Sequence, residues 1–269
     1  MPVTQRSTTV RNDSRLPHGA IFRGEKLEAS GVAALVAALE VRDLLSRDER
    51  DAIYQLNWRF RDFARGAEII RDRSRPTESC LVSAGYAVRA GYLRSGQRQL
   101  TSVLVPGDFV DLHGLLLRVM DHSVLALTDC RMAFVDHAAL RRLSGDFPHL
   151  WRMLALLLAI DASIQRSWLL SIGRRNPSSH LAHLLCELYA RLRIVGRADG
   201  DEFEFPVSQA DLADLLGLSV VHTNRTLQEL RALNLVRWRG RIVQVPDMKA
   251  LANVAEFDPI YLHLEREPR

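Results

Sequence analysis

Residues 208–245 read SQADLADLLGLSVVHTNRTLQELRALNLVRWRGRIVQV, and the apolar spacing in this stretch decides the fold of its domain. Ser208 is a helix N-cap residue type, and leucines then recur at helical spacing until Gly217, where the helix is expected to end. Ser219 predicts the cap of a second helix, whose inward residues are expected to be Thr223, Leu227, Leu230 and Leu233. Two short helices that meet at a glycine predict a helix-turn-helix.

A basic hairpin is predicted directly after the second helix. The apolar period changes to two after Asn234, and Gly240 supplies a tight turn before apolar residues return at Ile242 and Val245. Residues 220–245 contain five arginines, at positions 225, 231, 237, 239 and 241, against one acid, Glu229. This local positive charge predicts duplex DNA as the partner, and a small domain that binds protein is the alternative. The predicted DNA-binding residues are Ser219, Val220, Val221, His222, Asn224, Arg225, Gln228, Arg237, Arg239 and Arg241.

Length and composition favour a cytoplasmic protein of two domains. The chain has 269 residues and a formal net charge of +4. Its three cysteines lie about fifty residues apart without a CxxC pair, so we expect neither a disulfide framework nor a zinc finger. The amino-terminal residues lack the apolar run of a signal peptide, and the apolar run 153–160 is broken by Asp161, so no membrane partner is expected. We also find no motif for a catalytic nucleophile, a nucleotide cofactor or another cofactor, and predict no enzyme.

The remaining pattern predicts an α+β protein with an amino-terminal antiparallel β-roll, a long helix and a carboxy-terminal winged helix-turn-helix. We expect a disordered extension over residues 1–30, the roll with flanking helices over 31–147, a dimerisation helix over 148–173 and the DNA-binding domain over 174–269. Ser46 and Glu49 form a capping-box pattern before the roll. The long helix has apolar residues near heptad spacing, which predicts a homodimer, with a helix buried in its own domain as the alternative. The predicted dimer residues are Leu150, Leu154, Leu157, Ile164 and Trp168.

The order of these parts resembles the Crp/Fnr family of transcription regulators, which includes the cyclic AMP receptor protein. The most specific pieces are the sequence PGDF at 106–109 and the run LADLLGLSVVHTNRTLQELR at 212–231. The resemblance implies a cyclic-nucleotide-binding-like roll and a homodimeric regulator that reads a palindromic operator, with Arg225 at a guanine-reading position and RNA polymerase as a candidate partner. The same roll also serves kinases and channels, so the alternative is a regulatory module that acts by protein interaction.

The chain departs from this family at the positions that bind cyclic AMP. The members that bind it carry a Glu for the ribose and an Arg for the phosphate, and the matching segments here are Asp111-Leu112-His113 and His122-Ser123. We therefore expect these five residues to line an effector pocket that does not take cyclic AMP, and the effector is unknown or absent. The cysteine cluster of the redox-sensing members is missing, because no cysteine precedes Cys80.

A metal site is not expected from the sequence. Asp111, His113, Asp121 and His122 are permitted ligand types, but two loops would have to converge and no HxxE or HxH spacing is present. The pattern therefore favours solvated loop residues, and we predict no metal.

Overall fold

The computed structural model describes residues 24–268 and has the predicted α+β architecture. Most of the predicted amino-terminal extension lies outside the described residues, and residues 24–30 belong to the first helix. The helices are α1 (Gly24–Glu40), α2 (Arg47–Tyr54), α3 (His137–Asp146), α4 (Pro148–Arg174), α5 (Pro177–Ile194), α6 (Gln209–Leu216), α7 (Val220–Ala232) and α8 (Met248–Ala255). The strands are β1 (Arg59–Phe63), β2 (Glu68–Ile70), β3 (Glu78–Ala84), β4 (Ala87–Tyr92), β5 (Arg98–Leu104), β6 (Ser123–Ala126), β7 (Cys130–Asp136), β8 (Ala198–Asp199), β9 (Glu202–Glu204), β10 (Arg237–Arg239) and β11 (Ile242–Gln244). Short 3-10 helices cover Leu112–Leu115 and Pro259–Leu262.

The amino-terminal domain is a roll of two antiparallel sheets. One sheet has the order β1-β7-β3 and the other has the order β2-β6-β4-β5. Side chains from both sheets, among them Val82, Val124 and Met132, pack into a common apolar cluster between them. Gly107, in the PGDF turn, has a φ of 94° and lies so close to α1 that a Cβ atom would be 2.8 Å from the carbonyl carbon of Ala34. Only glycine fits this turn without moving α1 away from the roll.

The predicted helix caps before the roll and in the second domain are present. Ser46 and Glu49 form the reciprocal capping box at the start of α2, which confirms that prediction.

The cysteines Cys80, Cys130 and Cys186 are all buried free thiols. Burial raises the pKa of the Cys186 thiol to about 12, so this group stays protonated and behaves as a small apolar side chain.

The long helix α4 connects the two domains through the core. Its first part packs with α1 and α3 under the roll, whereas Ile160, Ile164 and Trp168 belong to a larger cluster that continues into the carboxy-terminal domain. By length and composition alone, α4 is apolar enough to cross a membrane. However, it carries Asp161 in an ion pair with Arg89 of the roll, and its buried residues pack on both domains.

The predicted dimer face of α4 is used inside the chain instead. Leu150, Leu154, Ile164 and Trp168 are between 1% and 7% exposed, and Leu157 is partly buried against the same core. The predicted dimer face of α4 is therefore a face that its own domains cover. A second apolar stripe, one position further on, has a similar spacing, interrupted at Gln165, and comprises Trp151, Ala155, Leu158, Ala162, Leu169 and Ile172. Trp151 and Leu158 pack partly against the core, but Leu169 is 72% exposed and Ile172 is 45% exposed, so the carboxy-terminal part of this second stripe is uncovered.

The carboxy-terminal domain combines α5 to α8 with a small sheet of order β10-β11-β9-β8. The segment between α5 and α6 forms a β8-β9 hairpin, and β9 pairs with β11, so the wing belongs to a sheet of four strands. The inward assignment of the second helix holds for Thr223 and Leu230, which are buried, but Leu233 is 64% exposed. The reason is that the helix ends at Ala232, and Leu233 at its C-cap no longer follows the helical period.

Candidate nucleic-acid interface and roll cavity

The helix-turn-helix is fixed by two serine caps and one left-handed glycine. The Ser208 side chain accepts a hydrogen bond from the backbone N–H of Asp211, and Ser219 accepts one from His222. Gly217 ends α6 with a φ of 65°, a conformation that costs other residues more. These local contacts set the start of α7, and therefore determine which of its side chains face outward.

The outward face of α7 presents small apolar and hydrogen-bonding groups beside a cation. Val221 is 81% exposed, and the Arg225 side chain is 71% exposed. Arg225 lies 3.6 Å from a carboxylate oxygen of Glu229, one turn along the helix, a weak surface pair that leaves the guanidinium available. Asn224 donates to the side-chain oxygen of Gln209 at 3.1 Å, which joins the exposed faces of α6 and α7.

The wing places three arginines on one hairpin, and each has a different neighbour. Arg241 donates to the carboxylate of Glu204 at 2.6 Å, and Arg237 donates to the side chain of Asn234 at 3.1 Å. Arg239 is exposed and makes no ion pair or hydrogen bond within residues 24–268. Arg231 reinforces the hairpin by donating to the Trp238 carbonyl at 2.6 Å. Among the wing arginines, Arg239 is thus the least neutralised.

A small cavity lies where the roll, α4 and α5 meet. Its volume is about 80 Å³, and Arg89, His113, Asp161 and Arg191 supply polar groups to its lining. Arg89 is contributed by β4 and is almost fully buried; its Nη1 donates to both carboxylate oxygens of Asp161 at 2.6 and 2.7 Å. Its Nε and Nη2 donate to the Val110 carbonyl at 3.2 and 3.0 Å. This arginine therefore links the roll directly to α4.

The five predicted pocket residues do not converge on one space. Leu112 and His113 line the cavity. Asp111 is fully buried behind them and accepts a hydrogen bond from the Cys80 backbone N–H at 2.7 Å. Burial raises the pKa of the Asp111 carboxyl to about 7. Ser123 turns away and donates to Glu68 at 2.8 Å.

The two histidines of the predicted pocket do come together, at one side of the cavity. The ring centroids of His113 and His122 lie 5.2 Å apart. Burial, and then the charge of Arg89, lower the pKa of His113 to about 4 and also lower the pKa of His122. His122 contacts Asp121 through Nδ1 at 2.7 Å; burial opposes ionisation of this carboxyl, but the bond to His122 lowers its pKa overall. Both imidazoles are therefore neutral at pH 7.

A second buried charge cluster ties the PGDF turn to the DNA-binding domain. Asp108 is ion-paired with Arg191 of α5, and Arg191 also contacts Glu187 at 3.1 Å. Glu187 is fully buried and accepts from Trp168 Nε1 at 3.1 Å and from the Tyr261 hydroxyl at 2.9 Å. The roll, α4, α5 and the carboxy-terminal segment thus share one hydrogen-bonded network.

Surface ion pairs hold the helix-turn-helix against the roll. Arg98 of β5 donates to Asp211 and Asp214 of α6, each at 2.7 Å, and Arg65 also reaches Asp211 at 2.8 Å. Gln99 donates to the Asp214 carbonyl at 2.6 Å.

Sequence reasoning did not identify Arg89 and Arg191 as functional residues. Arg89 is the lone charge in the apolar strand β4, and Asp161 is the lone acid of the helix 148–174. Buried charges are usually paired, so the single charge of β4 and the single acid of this helix are a signal that could have connected them.

Two family profiles match the chain in the order of its domains. The cyclic nucleotide-binding domain matches residues 60–146, and the Crp-like helix-turn-helix domain matches residues 179–254. The first covers the roll and the start of the helices that follow it, and the second covers the domain that contains α6, α7 and the wing.

Known relatives and solved structures agree with these matches. A probable transcriptional activator of Rhizobium leguminosarum is 30% identical over 189 residues, which are 69% of this chain and 77% of that protein. The transcriptional activator protein FnrL of Cereibacter sphaeroides is 25% identical over 203 residues, 74% of this chain and 81% of that protein. The structure of FixK2 from Bradyrhizobium japonicum covers 74% of this chain and 98% of its own, with a TM-score of 0.67 and 22% identity, and this likeness shows the fold.

Proposed function

Because the chain belongs to the Crp/Fnr family of DNA-binding transcription regulators, we propose that it binds a palindromic operator as a homodimer, with α7 in the major groove. The family is one of regulators, not enzymes, and its helix-turn-helix sets aside the alternative of a module that acts only through protein contacts. The observation that carries the proposal is the capped, exposed α7 beside a wing with three outward arginines. We place the protein in the cytoplasm, where its DNA would be.

Base readout is proposed for Arg225, with Val220, Val221, Asn224 and Gln228 around it. A base-by-base binding profile tests this assignment. We expect Arg225→Ala to lose about 1 to 3 kcal/mol of discrimination at one guanine in each half-site. Arg225→Lys is the matched control, because it keeps the charge and loses the bidentate geometry. If Arg225→Ala weakens binding to all sequences equally and leaves the base preference intact, Arg225 is a phosphate contact.

The dimer is proposed to form through the second apolar stripe of α4, whose carboxy-terminal part is uncovered. Leu169, Leu170 and Ile172 are large apolar side chains that are 45% to 72% exposed, so this end of α4 needs a second cover. A two-fold pairing of the stripe 151–172 supplies that cover and places two copies of α7 for a palindrome. We expect Leu169→Glu to give monomers in light scattering at micromolar concentration, whereas Leu44→Glu, at a leucine 62% exposed on the roll side, leaves the dimer intact. A wild-type chain that is already monomeric there contradicts the proposal.

Cyclic AMP is not proposed as the effector. Ordinary small-molecule pockets have about 300 to 1,000 Å³, and the cavity beside Arg89 has about 80 Å³. In addition, Leu112 and His122 stand where a carboxylate and a guanidinium would hold the nucleotide. We expect millimolar cyclic AMP to change neither the melting temperature nor the affinity for DNA. Calorimetric binding at micromolar concentration would contradict this.

RNA polymerase is proposed as a further partner, because relatives are named as transcriptional activators. In vitro transcription from a promoter that carries the selected operator tests this. We expect more transcript with the protein than without it, and a decrease would make the protein a repressor at that promoter.

A further inference from the structure

The DNA-binding surface makes no use of the cluster formed by His113, Asp121 and His122. Each of these residues offers one ligand atom, and the three atoms all lie within 4.8 Å of one another. His113 belongs to the 3-10 helix after the PGDF turn, and the other two lie in the loop before β6. The two loops therefore converge in the folded chain, although the spacing of these residues in the sequence does not predict it.

The two imidazoles have unused nitrogen atoms that are buried. Among residues 24–268, neither Nε2 of His113 nor Nε2 of His122 has a hydrogen-bond partner, and both atoms are shielded from solvent. A buried nitrogen without a partner is costly, and binding a cation removes that cost. The contact of Asp121 with Nδ1 of His122 holds the tautomer in which Nδ1 carries the proton and Nε2 offers its lone pair. Histidine side chains that ligate metals are commonly oriented by a carboxylate in this way.

From this geometry, we propose that His113 and His122 bind a divalent first-row transition metal of the zinc class through their Nε2 atoms, with Asp121 as the carboxylate that orients His122. Imidazole nitrogens suit zinc and disfavour magnesium and calcium, which prefer oxygen alone. Bonds of about 2.0 to 2.1 Å place the donors of a tetrahedral zinc about 3.4 Å apart. One ligand atom of each histidine lies within 4.8 Å of one of the other, and the ring centroids lie 5.2 Å apart, so modest side-chain rotations would bring two nitrogen donors to this separation.

Nearby charges permit a cation at this position. Arg89 opposes it, but the carboxylates of Asp121 and Asp161 also act on His113, so the formal charge of these three neighbours is −1. The side chain of Asp121, beside His122, is 78% exposed, so the remaining coordination positions would be open to water or to a small ligand.

The location gives the metal a structural consequence. His113 lines the same cavity as Arg89 and Asp161, the pair that joins the roll to α4. A metal held there would connect the PGDF loop to the loop before β6 at that junction. Metal binding at this site does not depend on DNA binding, so the two are tested by separate experiments.

Calorimetric titration of the chelator-treated, full-length protein with ZnCl₂ tests the proposal. We expect one Zn²⁺ per chain with a Kd in the micromolar range or tighter, and a higher melting temperature with zinc. His113→Gln and His122→Gln should each weaken binding at least about 100-fold, and Asp121→Asn should weaken it about 10- to 100-fold. His263→Asn, at an exposed histidine, is the matched control and should bind as the wild type does. Co²⁺ should give the visible absorption of a tetrahedral site, and this absorption should be lost in both histidine variants.

Two results would overturn the proposal. One is the lack of zinc binding below about 1 mM, and the other is binding that persists unchanged in the His113→Gln/His122→Gln double variant. Metal-free melting curves check that the variants are folded. If a histidine variant does not fold, Asp121→Asn decides, because this exposed side chain can change without disturbing the core.

Discussion

The DNA-binding surface and the interior of this protein use arginine in opposite ways. Arg239 makes no ion pair or hydrogen bond with residues 24–268, and the exposed Arg225 has only the surface partners His222 and Glu229, so their charge is available to another molecule. Arg89 and Arg191 are almost fully buried, and each is neutralised by a carboxylate from a distant part of the chain, Arg89 by Asp161 and Arg191 by Asp108. The comparison teaches that a positive charge indicates a partner outside the protein only where the fold provides no partner inside it. Four experiments test this contrast, from the largest expected effect to the smallest.

The largest effect is expected at Arg191. Arg191→Ala would leave Glu187 fully buried without its cation and should lower the free energy of unfolding by about 3 to 5 kcal/mol. Urea denaturation followed by circular dichroism measures this. Arg193→Ala is the matched control, because Arg193 lies two residues further along α5 and is exposed; it should change stability by less than about 1 kcal/mol. Equal effects of the two variants would remove the distinction between interior and surface arginines.

The pair that joins the roll to α4 should have the next largest effect. Asp161→Asn removes the charge opposite Arg89, and we expect a loss of about 2 to 3 kcal/mol, below that of a fully buried pair, since Asp161 is 32% exposed. The double variant Arg89→Met/Asp161→Leu should regain much of this stability, because no unpaired charge is left inside. A double variant as unstable as the sum of its single variants would show that the two residues do not act as a pair.

The third experiment concerns buried groups that carry no charge. Burial, and then Arg175, lower the pKa of His180 to about 4 and that of His183 to about 3, so the folded chain keeps both imidazoles neutral. An unfolded histidine has a pKa of about 6.5, so below this pH the unfolded chain binds protons that the folded chain does not bind. The contribution of these two histidines to the free energy of unfolding should be fully present above about pH 6.5. It should fall by about 1.4 kcal/mol per pH unit for each imidazole as the pH decreases towards 5.

His183→Phe isolates one of these two histidines. His183 packs against Phe257 and stacks on Tyr261, so an aromatic replacement keeps these ring contacts and removes the titration, at the loss of one hydrogen bond to Ser167. Urea midpoints at several pH values should therefore show a pH slope reduced by about one proton. An unchanged slope between pH 5 and 6.5 would contradict the assignment.

The smallest effect is expected at the wing. Arg239→Ala should reduce the salt dependence of DNA binding by about one phosphate contact and weaken all sequences alike, with no loss of stability. Arg241→Ala should reduce the salt dependence of DNA binding less, because Glu204 already neutralises Arg241 in the free protein. Binding measured across a salt series gives both values. A larger change for Arg241 than for Arg239 would mean that the surface pair opens at no cost on DNA.

Much of the fold follows from local sequence patterns. The serine caps and Gly217 lie within three residues of the groups that they bond or position, so the helix-turn-helix and the start of α7 could be predicted directly. The wing hairpin follows from its two-residue period, although its pairing with β9 does not, since β9 is about forty residues earlier. Leu233 was assigned inward by extending the period past the end of its helix.

The sequence by itself determined the order of the domains, the capped α7 with its outward side chains, and the heptad period of α4, because each depends on contacts between near neighbours. Only the tertiary structure decided which apolar face of α4 is covered, since both faces have a similar spacing and the cover comes from distant elements. It likewise paired Arg89 with Asp161, 72 residues apart, and brought His113 to Asp121 and His122. The physical reason is that helical and strand periods fix where a side chain points on its own element, whereas its partner across the core depends on how all the elements pack.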